Sequence, residues 1–285
     1  MIGAQDVVDA LEDGVELPSI PRAVLRLLAA IADPNHSRRQ VSEIVRSEPG
    51  LVADALRMAN SGMVRQRSAP VETADEALSI LGEAWLLRAV TARGMRTISL
   101  ERLDGYGMDV DALWDHSIRV GLLAEALAVR AKVSAPMAYT AGLWVDVGKL
   151  VASGALMSLG RRLNDTLESR QDLSFDAIER LLLGIDHAEL GARVAEAWGL
   201  PSSLVDAIRF HHRPDDARSN SALVQVIHAA DTLAYLTGRG LGVDGMLYRM
   251  TNQPLPSLVL DRSDVDKLLL SVESKVQQIE GLLAG

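Results

Sequence analysis

The chain has 285 residues, of which 48% are apolar and 24% charged, the balance of a folded globular protein rather than a disordered one. The net charge of −9 argues against broad nucleic-acid binding, and the absence of cysteine excludes disulfides, thiol chemistry and thiolate zinc sites. No apolar run reaches the roughly 18 residues of a membrane span and no secretory leader pattern is present, so we expect a cytoplasmic protein without membrane contact.

Helical periodicity runs through nearly the whole chain, and no segment alternates apolar and polar residues as a strand does. In the first hundred residues the pattern predicts helices at 21–32, 37–46, 50–60 and 73–93, and a short helix or a loose arm at 1–13. Ser37 and a Thr73–Glu76 capping box are expected to begin two of them, and residues 63–72 read as an exposed loop.

Residues 101–110, with two glycines, predict a connection to a second set of helices. These are expected at 111–132, 136–146, 158–171, 176–183, 187–198, 202–212, 220–237 and 263–283. The sequence therefore predicts an all-α fold.

The apolar run Ala141–Leu150 ends on Asp146, Gly148 and Lys149. A carboxylate at the end of such a segment is a metal ligand, a buried cap or a salt-bridge partner. Further candidate ligands lie on other predicted helices: His116, His187, His211 or His212, and Asp231. Histidines and carboxylates that point inward from separate helices hold metal pairs in bundle folds, and such metals activate water for attack on phosphate esters.

Each of these residues also has an ordinary structural interpretation. His187 follows a capping Asp186, and His228 and Asp231 can simply pair across one turn of a helix. His211 and His212 end a helix, where an imidazolium complements the helix dipole. Taken singly, the structural interpretation is the better one for each.

Several short motifs change that weighting when they are taken together. They are Leu17–Pro21, Ser47–Leu51, Leu56–Ser61, Ala77–Gly82, Trp114–Ser117, Ala141–Leu150, Asp186–Gly191, Trp198–Pro201 and Ile208–His212. Over about residues 15–237 the chain resembles the HDOD branch of the HD superfamily of metal-dependent phosphohydrolases, the HD-related output domains of bacterial signalling proteins. The resemblance implies a two-lobed fold: an N-terminal helical lobe (1–104), an HD-like helical lobe (105–240) and a C-terminal helical extension (241–285).

Carried over position by position, the HD ligands fall on His116, Asp146, His187, His211 or His212, and Asp231. The histidine of the His-Asp doublet, which binds metal directly in active members, falls on Val145. The Gly-Tyr-Pro of cyclic di-GMP phosphodiesterases is also missing after His212. Loss of a direct ligand lowers metal affinity at least as much as the roughly 10–100-fold caused by disturbing its hydrogen-bond partner.

We therefore expect a non-catalytic bacterial signal-transduction module with a degenerate metal site, no catalytic residues and no tightly held cofactor. It would act through an unidentified signalling protein. A nucleotide or other small molecule could bind in a cleft lined by Asp146, Lys149, His187, His212, His228 and Asp231. A single weak divalent metal on Asp146, His187 and Asp231 stays open.

Two alternatives remain at this point. The first is a metal-dependent phosphohydrolase for nucleotides or phosphodiesters with an altered ligand set, in which His228 replaces the missing imidazole. The second, least favoured because of the overall acidity, is a nucleic-acid regulator that uses first-lobe arginines.

Overall fold

The computed structural model describes residues 22–32, 37–60, 70–82, 85, 103–240, 242–246, 258 and 260–283. Within these ranges all regular structure is helical, apart from one isolated bridge between Leu103 and Met108. The all-α prediction is confirmed. The predicted 1–13 segment, the Leu17–Pro21 motif, most of the 63–72 loop and most of the C-terminal half of the 73–93 helix lie outside the described residues.

The first lobe contains α1 (Arg22–Ala32), α2 (Arg38–Arg46), α3 (Pro49–Ala59) and a helical segment at residues 74–82. The predicted cap Ser37 accepts a hydrogen bond from the amide of Gln40, and the Gln40 side chain accepts one from the amide of Ser37. This reciprocal pair closes the first turn of α2.

The predicted Thr73–Glu76 capping box forms only in part. The amide of Glu76 donates to Oγ1 of Thr73 at 3.2 Å, as expected of a cap. The Glu76 carboxylate, however, accepts from the amide of Glu72 at 3.4 Å, one residue before the expected donor.

Asn60 links the end of α3 to the next described segment. Its Nδ2 donates to the carbonyl of Leu56 at 2.9 Å and to that of Val71 at 2.8 Å, while its Oδ1 accepts from the amide of Val71 at 2.8 Å. One side chain thus pairs both backbone groups of Val71. This gives a structural role to the asparagine of the Leu56–Ser61 motif.

The rest of the chain forms a larger group of helices. They are α4 (Val110–Ala131), α5 (Ala135–Trp144), α6 (Gly148–Leu159), α7 (Arg161–Ser169), α8 (Phe175–Leu183), α9 (His187–Ala197), α10 (Ser202–Phe210), α11 (Ser221–Tyr235), α12 (Val243–Met246) and α13 (Arg262–Leu283). Two 3-10 turns lie at Asp104–Tyr106 and Pro214–Asp216.

The central helix was predicted two residues too long at its C-terminal end, and the helix after it was missed. Helix α5 ends at Trp144, Asp146 lies in the turn that follows, and α6 begins at Gly148, where no helix was predicted. A β-carbon at Gly148 would lie 1.9 Å from the carbonyl oxygen of His187, so the tight contact between α6 and α9 requires glycine there. The turn between α5 and α6 interrupts this mostly apolar stretch and places the Asp146 side chain at the site.

Helix α4 is the centre of the second group. Most of its residues are buried, and α5, α11 and α13 pack against it. Arg119, 1% exposed, pairs with Asp115 on its own helix and with Glu273 of α13 at 2.6 Å. The C-terminal helix is therefore tied to the helix that carries His116.

Among the described residues, the helical stretch Ala135–Leu159 is long enough to span a membrane, and an 18-residue window within it has a mean hydropathy of 1.2. However, 61% of that window is buried inside the protein. It consists of α5, a turn and α6, and it carries the charged Asp146 and Lys149. These are properties of core helices rather than of a lipid-facing helix.

Candidate functional site

The structure brings the predicted ligands together from five parts of the chain. His116 lies on α4, Asp146 in the turn before α6, His187 at the first position of α9, and Asp231 on α11. His211 and His212 follow the last residue of α10. All are buried except His212, which is partly exposed.

Asp146 is the hub of the site. Its Oδ1 lies 3.4 Å from Nε2 of His187 and 4.0 Å from Nε2 of His211, and its Oδ2 lies 3.5 Å from Nε2 of His116 and 2.8 Å from Nζ of Lys149. Burial raises the pKa of the Asp146 carboxyl, but Lys149, His187 and His116 outweigh it and hold that pKa well below its usual value. Asp146 is a carboxylate at every physiological pH.

Asp231 pairs with His116, and His228 contacts the backbone next to the site. Nε2 of His116 lies 2.9 Å from Oδ1 of Asp231. Nδ1 of His228 instead lies 2.6 Å from the backbone carbonyl of His211. His228 thus supports the chain that carries His211 and does not reach the described metal-donor groups.

His187 is held between two carboxylates. Its Nδ1 lies 2.6 Å from Oε2 of Glu179, which also accepts from the His187 amide at 2.9 Å, and the hydroxyl of Tyr106 donates to the other Glu179 oxygen. Burial lowers the pKa of His187, but Glu179 and Asp146 outweigh it and raise that pKa well above the usual value. His187 is therefore an imidazolium that donates from both ring nitrogens.

The neighbouring histidines are neutral. Nε2 of His212 lies 2.9 Å from Nε2 of His187, a hydrogen bond in which a protonated His187 is the donor. Burial lowers the pKa of both His211 and His212, and the charge on His187 adds to that effect. The lowered pKa of both histidines favours their neutral forms over the charged groups at a helix end that the sequence also allowed.

Lys149 has two carboxylate partners, one of which the sequence did not suggest. Its Nζ, 1% exposed, lies 2.8 Å from Oδ2 of Asp146 and 2.6 Å from Oδ2 of Asp244 on α12. Tyr235 also donates to that Asp244 oxygen, at 3.1 Å. Burial lowers the pKa of Lys149, but the two carboxylates outweigh it and raise that pKa above its ordinary value.

Sequence reasoning missed Glu179, Tyr106, Tyr235 and Asp244. Glu179 lies eight residues before His187, across the turn between α8 and α9, a spacing that is not a helical contact. Asp244 lies 95 residues after Lys149 in the predicted C-terminal extension. Only the tertiary fold brings these groups to the site.

Comparison with known families identifies the chain. The HDOD domain model matches residues 17–214, well over half of the chain. The chain belongs to the HDOD domain family. Asp231 and the Asp244-bearing α12 lie beyond the matched residues.

Two curated relatives share part of the sequence. The chain is 25% identical over 242 residues to an uncharacterized protein of Treponema pallidum, covering 82% of this chain and 45% of that protein. It is 31% identical over 129 residues to ribonuclease Y of Thermus thermophilus, covering 45% of this chain and 17% of the enzyme. The chain thus spans less than half the length of either relative.

Two crystal structures share the fold. An HDOD domain protein of unknown function from Geobacter sulfurreducens matches with a TM-score of 0.70 at 22% identity, over 98% of this chain and 96% of that chain. A candidate signal transduction protein from Marinobacter aquaeolei matches with a TM-score of 0.74 at 22% identity, over 99% of this chain and 66% of that chain. At this identity the match establishes the fold.

The HD superfamily to which this fold is related implies a pair of metal ions. Two groups of three donor side chains could each hold one ion: His116, Asp146 and Asp231, and His187, His211 and His212, with the donor atoms of each group within 4.8 Å of one another. Val145 stands at the doublet position and is buried in the apolar core. In addition, Lys149 bonds to Oδ2 of Asp146, which reduces the number of carboxylate oxygens available to a metal.

Proposed function

We propose that this HDOD protein is a non-catalytic regulatory module of bacterial signal transduction, located in the cytoplasm. It acts by contact with a protein partner, and its former catalytic pocket serves as a structural and ligand-sensing centre. The proposal includes no tightly bound cofactor. The related Marinobacter fold, named as a candidate signal transduction protein, agrees with such a role.

The observation that carries the proposal is the ion pair between Lys149 and Asp146. In a two-metal hydrolase the doublet aspartate needs its oxygens for the metals, as the resemblance implies. Here an ammonium group bonds to Oδ2 at 2.8 Å, and the imidazolium of His187 lies 3.4 Å from Oδ1. Two side-chain cations thus balance the carboxylate and weaken its attraction for a dication.

Burial supports the same conclusion. The exposed fractions are 1% for His116, 2% for Asp146, 0% for His211 and 1% for Asp231. A phosphodiester must approach its activating metal closely for attack by bound water. Side chains this deeply covered give such a substrate no direct approach.

The alternative is a metal-dependent phosphohydrolase with an altered ligand set. The partial identity to ribonuclease Y and the two three-donor groups favour it. The suggested replacement ligand, His228, does not support it, because its Nδ1 is engaged by the His211 carbonyl and it belongs to neither donor group. A single weakly held divalent ion on three donors is compatible with both functions.

Metal stoichiometry and turnover separate the two functions. Protein purified from Mn²⁺-supplemented growth, without chelator, is analysed by inductively coupled plasma mass spectrometry and assayed on bis-p-nitrophenyl phosphate and cyclic nucleotides. We expect less than one metal per chain and no turnover above that of an Asp146→Ala control. Two tightly held metals with turnover that Asp146→Ala abolishes would overturn the proposal.

A further inference from the structure

We propose that Asp244 is an internal ligand that occupies an oxyanion site formed by Lys149 and Tyr235, and that a singly charged oxyanion enters this site when residues 242–246 move out. These residues, called the strap below, comprise α12 and the residue before it. The inference rests on the proposed ligand-sensing role and names the chemistry of the ligand and the device that controls access.

The geometry is that of an anion site with a carboxylate in it. Nζ of Lys149 and the hydroxyl of Tyr235 both donate to Oδ2 of Asp244, at 2.6 and 3.1 Å. Asp244 is 4% exposed, so these are buried, charge-assisted contacts. A carboxylate or a phosphate monoanion offers the same charge and the same acceptor oxygens as the side chain that it would replace.

The hydrogen bonding of the Asp244 carboxylate is incomplete, and this favours its replacement by a free oxyanion. Its Oδ1 is buried without a hydrogen-bond partner among the described residues. A buried acceptor left without a donor costs free energy that rotation into water recovers. The negative charge of Asp146, bonded to the same ammonium, adds repulsion on the inner side.

The chain before the strap is built to change direction. Gly238 and Gly240 both have φ of +67°, a left-handed conformation that glycine adopts without strain. A β-carbon on Gly240 would lie 2.7 Å from the carbonyl of Ala112 and 2.9 Å from Cβ of His116, so the chain lies directly against α4. Gly240 is thus needed for the chain to lie against α4. The two glycines also allow the backbone to change conformation so that the strap can move away from the site.

The extension is also connected to α4 through α13. Glu273 of α13 pairs with Arg119 at 2.6 Å and lies 3.9 Å from Arg239, the residue between the two glycines. A partner that displaced α13 would therefore remove the Glu273 carboxylate from beside Arg239, three residues before the strap. This links the oxyanion site to the surface on which a protein partner would act.

Chemical rescue tests the site directly. Asp244→Gly removes the carboxylate, and the double variant Asp244→Gly with Lys149→Met also removes the cation. In EDTA, we expect sodium formate to restore most of the thermal stability that Asp244→Gly loses, in a saturable manner, at constant ionic strength set with sodium chloride. The double variant should not respond, and the wild type should gain much less thermal stability than the single variant because its own carboxylate competes with formate. Absence of rescue in the single variant would overturn the proposal.

A second measurement uses the wild-type protein and covers the case in which Asp244→Gly does not fold. By amide hydrogen exchange with mass spectrometry, strap amides should exchange at least about tenfold faster than the α4 amides around His116, which indicates local opening. Formate or phosphate should increase strap exchange and leave α4 unchanged. If the strap amides exchanged no faster than the α4 amides, the strap would open only together with α4, and this result would contradict the proposal.

These tests are independent of catalysis. They use no metal, so a positive rescue combined with Mn²⁺-dependent turnover would overturn the proposed non-catalytic function while leaving the oxyanion site standing. Conversely, an inactive protein without rescue would leave the proposed function standing and remove this inference.

Discussion

Nζ of Lys149 lies 2.8 Å from Oδ2 of Asp146, and both side chains are almost completely buried. The ammonium stands beside the carboxylate on which the site is centred, and a second carboxylate, Asp244, holds it from the other side at 2.6 Å. We propose that Lys149 supplies positive charge at the position where, as the resemblance implies, HD hydrolases use metal ions.

Lys149→Met should strongly destabilise the fold. The substitution keeps the volume but leaves Asp146 and Asp244 buried without their cation, and breaking a buried pair from one side costs about 3–5 kcal/mol. Urea denaturation measures the loss. The control is Arg170→Met, since Arg170 pairs with Asp172 at exposed fractions of 45% and 63%. That change should cost less than about 1 kcal/mol, and equal losses in the two variants would contradict the account.

The stability of the protein should fall on both sides of neutral pH, for opposite reasons. The pKa of His187 is raised well above 6.5, so its contribution is complete below pH 6.5 and is lost as pH rises through the raised pKa. The pKa of His212 is lowered well below 6.5. As pH falls below 6.5 the unfolded chain therefore binds a proton that the folded protein does not, and the free energy of unfolding decreases.

His187→Gln should therefore flatten the alkaline limb of the stability profile, and His212→Gln the acid limb immediately below pH 6.5. Free energies of unfolding from urea melts at several pH values measure both limbs. If His187→Gln left the alkaline slope unchanged, His187 would not be the imidazolium described here.

Val145→His tests the missing doublet ligand. Without metal, an imidazole in the apolar core should cost about 1–3 kcal/mol because its nitrogens lack partners. Mn²⁺ should then raise the melting temperature of this variant, by mass action on the folded state. Val147→His places the same group at another fully buried position as a control and should not respond. An equal Mn²⁺ response in the wild type would mean that Val145 is not what limits metal binding.

Asn60→Ala should destabilise the first lobe by about 1–3 kcal/mol, since it leaves both backbone groups of Val71 without their partner. Asn60→Asp retains the acceptor for the Val71 amide but loses both Nδ2 donations. It should therefore be intermediate when measured by thermal unfolding. A loss equal to that of Ala would show that the amide contact contributes nothing.

The sequence predicted most helices because their start signals are local. Ser37 caps α2 and Asp186 caps α9 through contacts within three residues, which a linear reading detects. The central helix was extended to Asp146 because the residues just before it, Ala141–Val145, are apolar and contain no break signal. The break after Trp144 is set instead by the close contact of Gly148 with α9, a tertiary contact that periodicity does not encode.

The sequence identified most residues of the candidate site but not the hydrogen bonds and charges that connect them. The resemblance identified the histidines and aspartates that converge on Asp146, including Asp231 on α11. It could not assign charge, because the protonation of His187 depends on Glu179, which reaches it across a helix junction. It also missed Asp244, since a lone aspartate among glycines in an extension has no pattern that points to a buried lysine.

The central claim is that this HDOD protein has exchanged metal-dependent hydrolysis for a site balanced by its own side chains. The most direct measurement is steady-state hydrolysis of bis-p-nitrophenyl phosphate and cyclic nucleotides with saturating Mn²⁺, with Asp146→Ala assayed in parallel. We predict that the wild type and Asp146→Ala give the same rate as buffer with Mn²⁺. Sustained turnover by the wild type that Asp146→Ala abolishes would contradict the account.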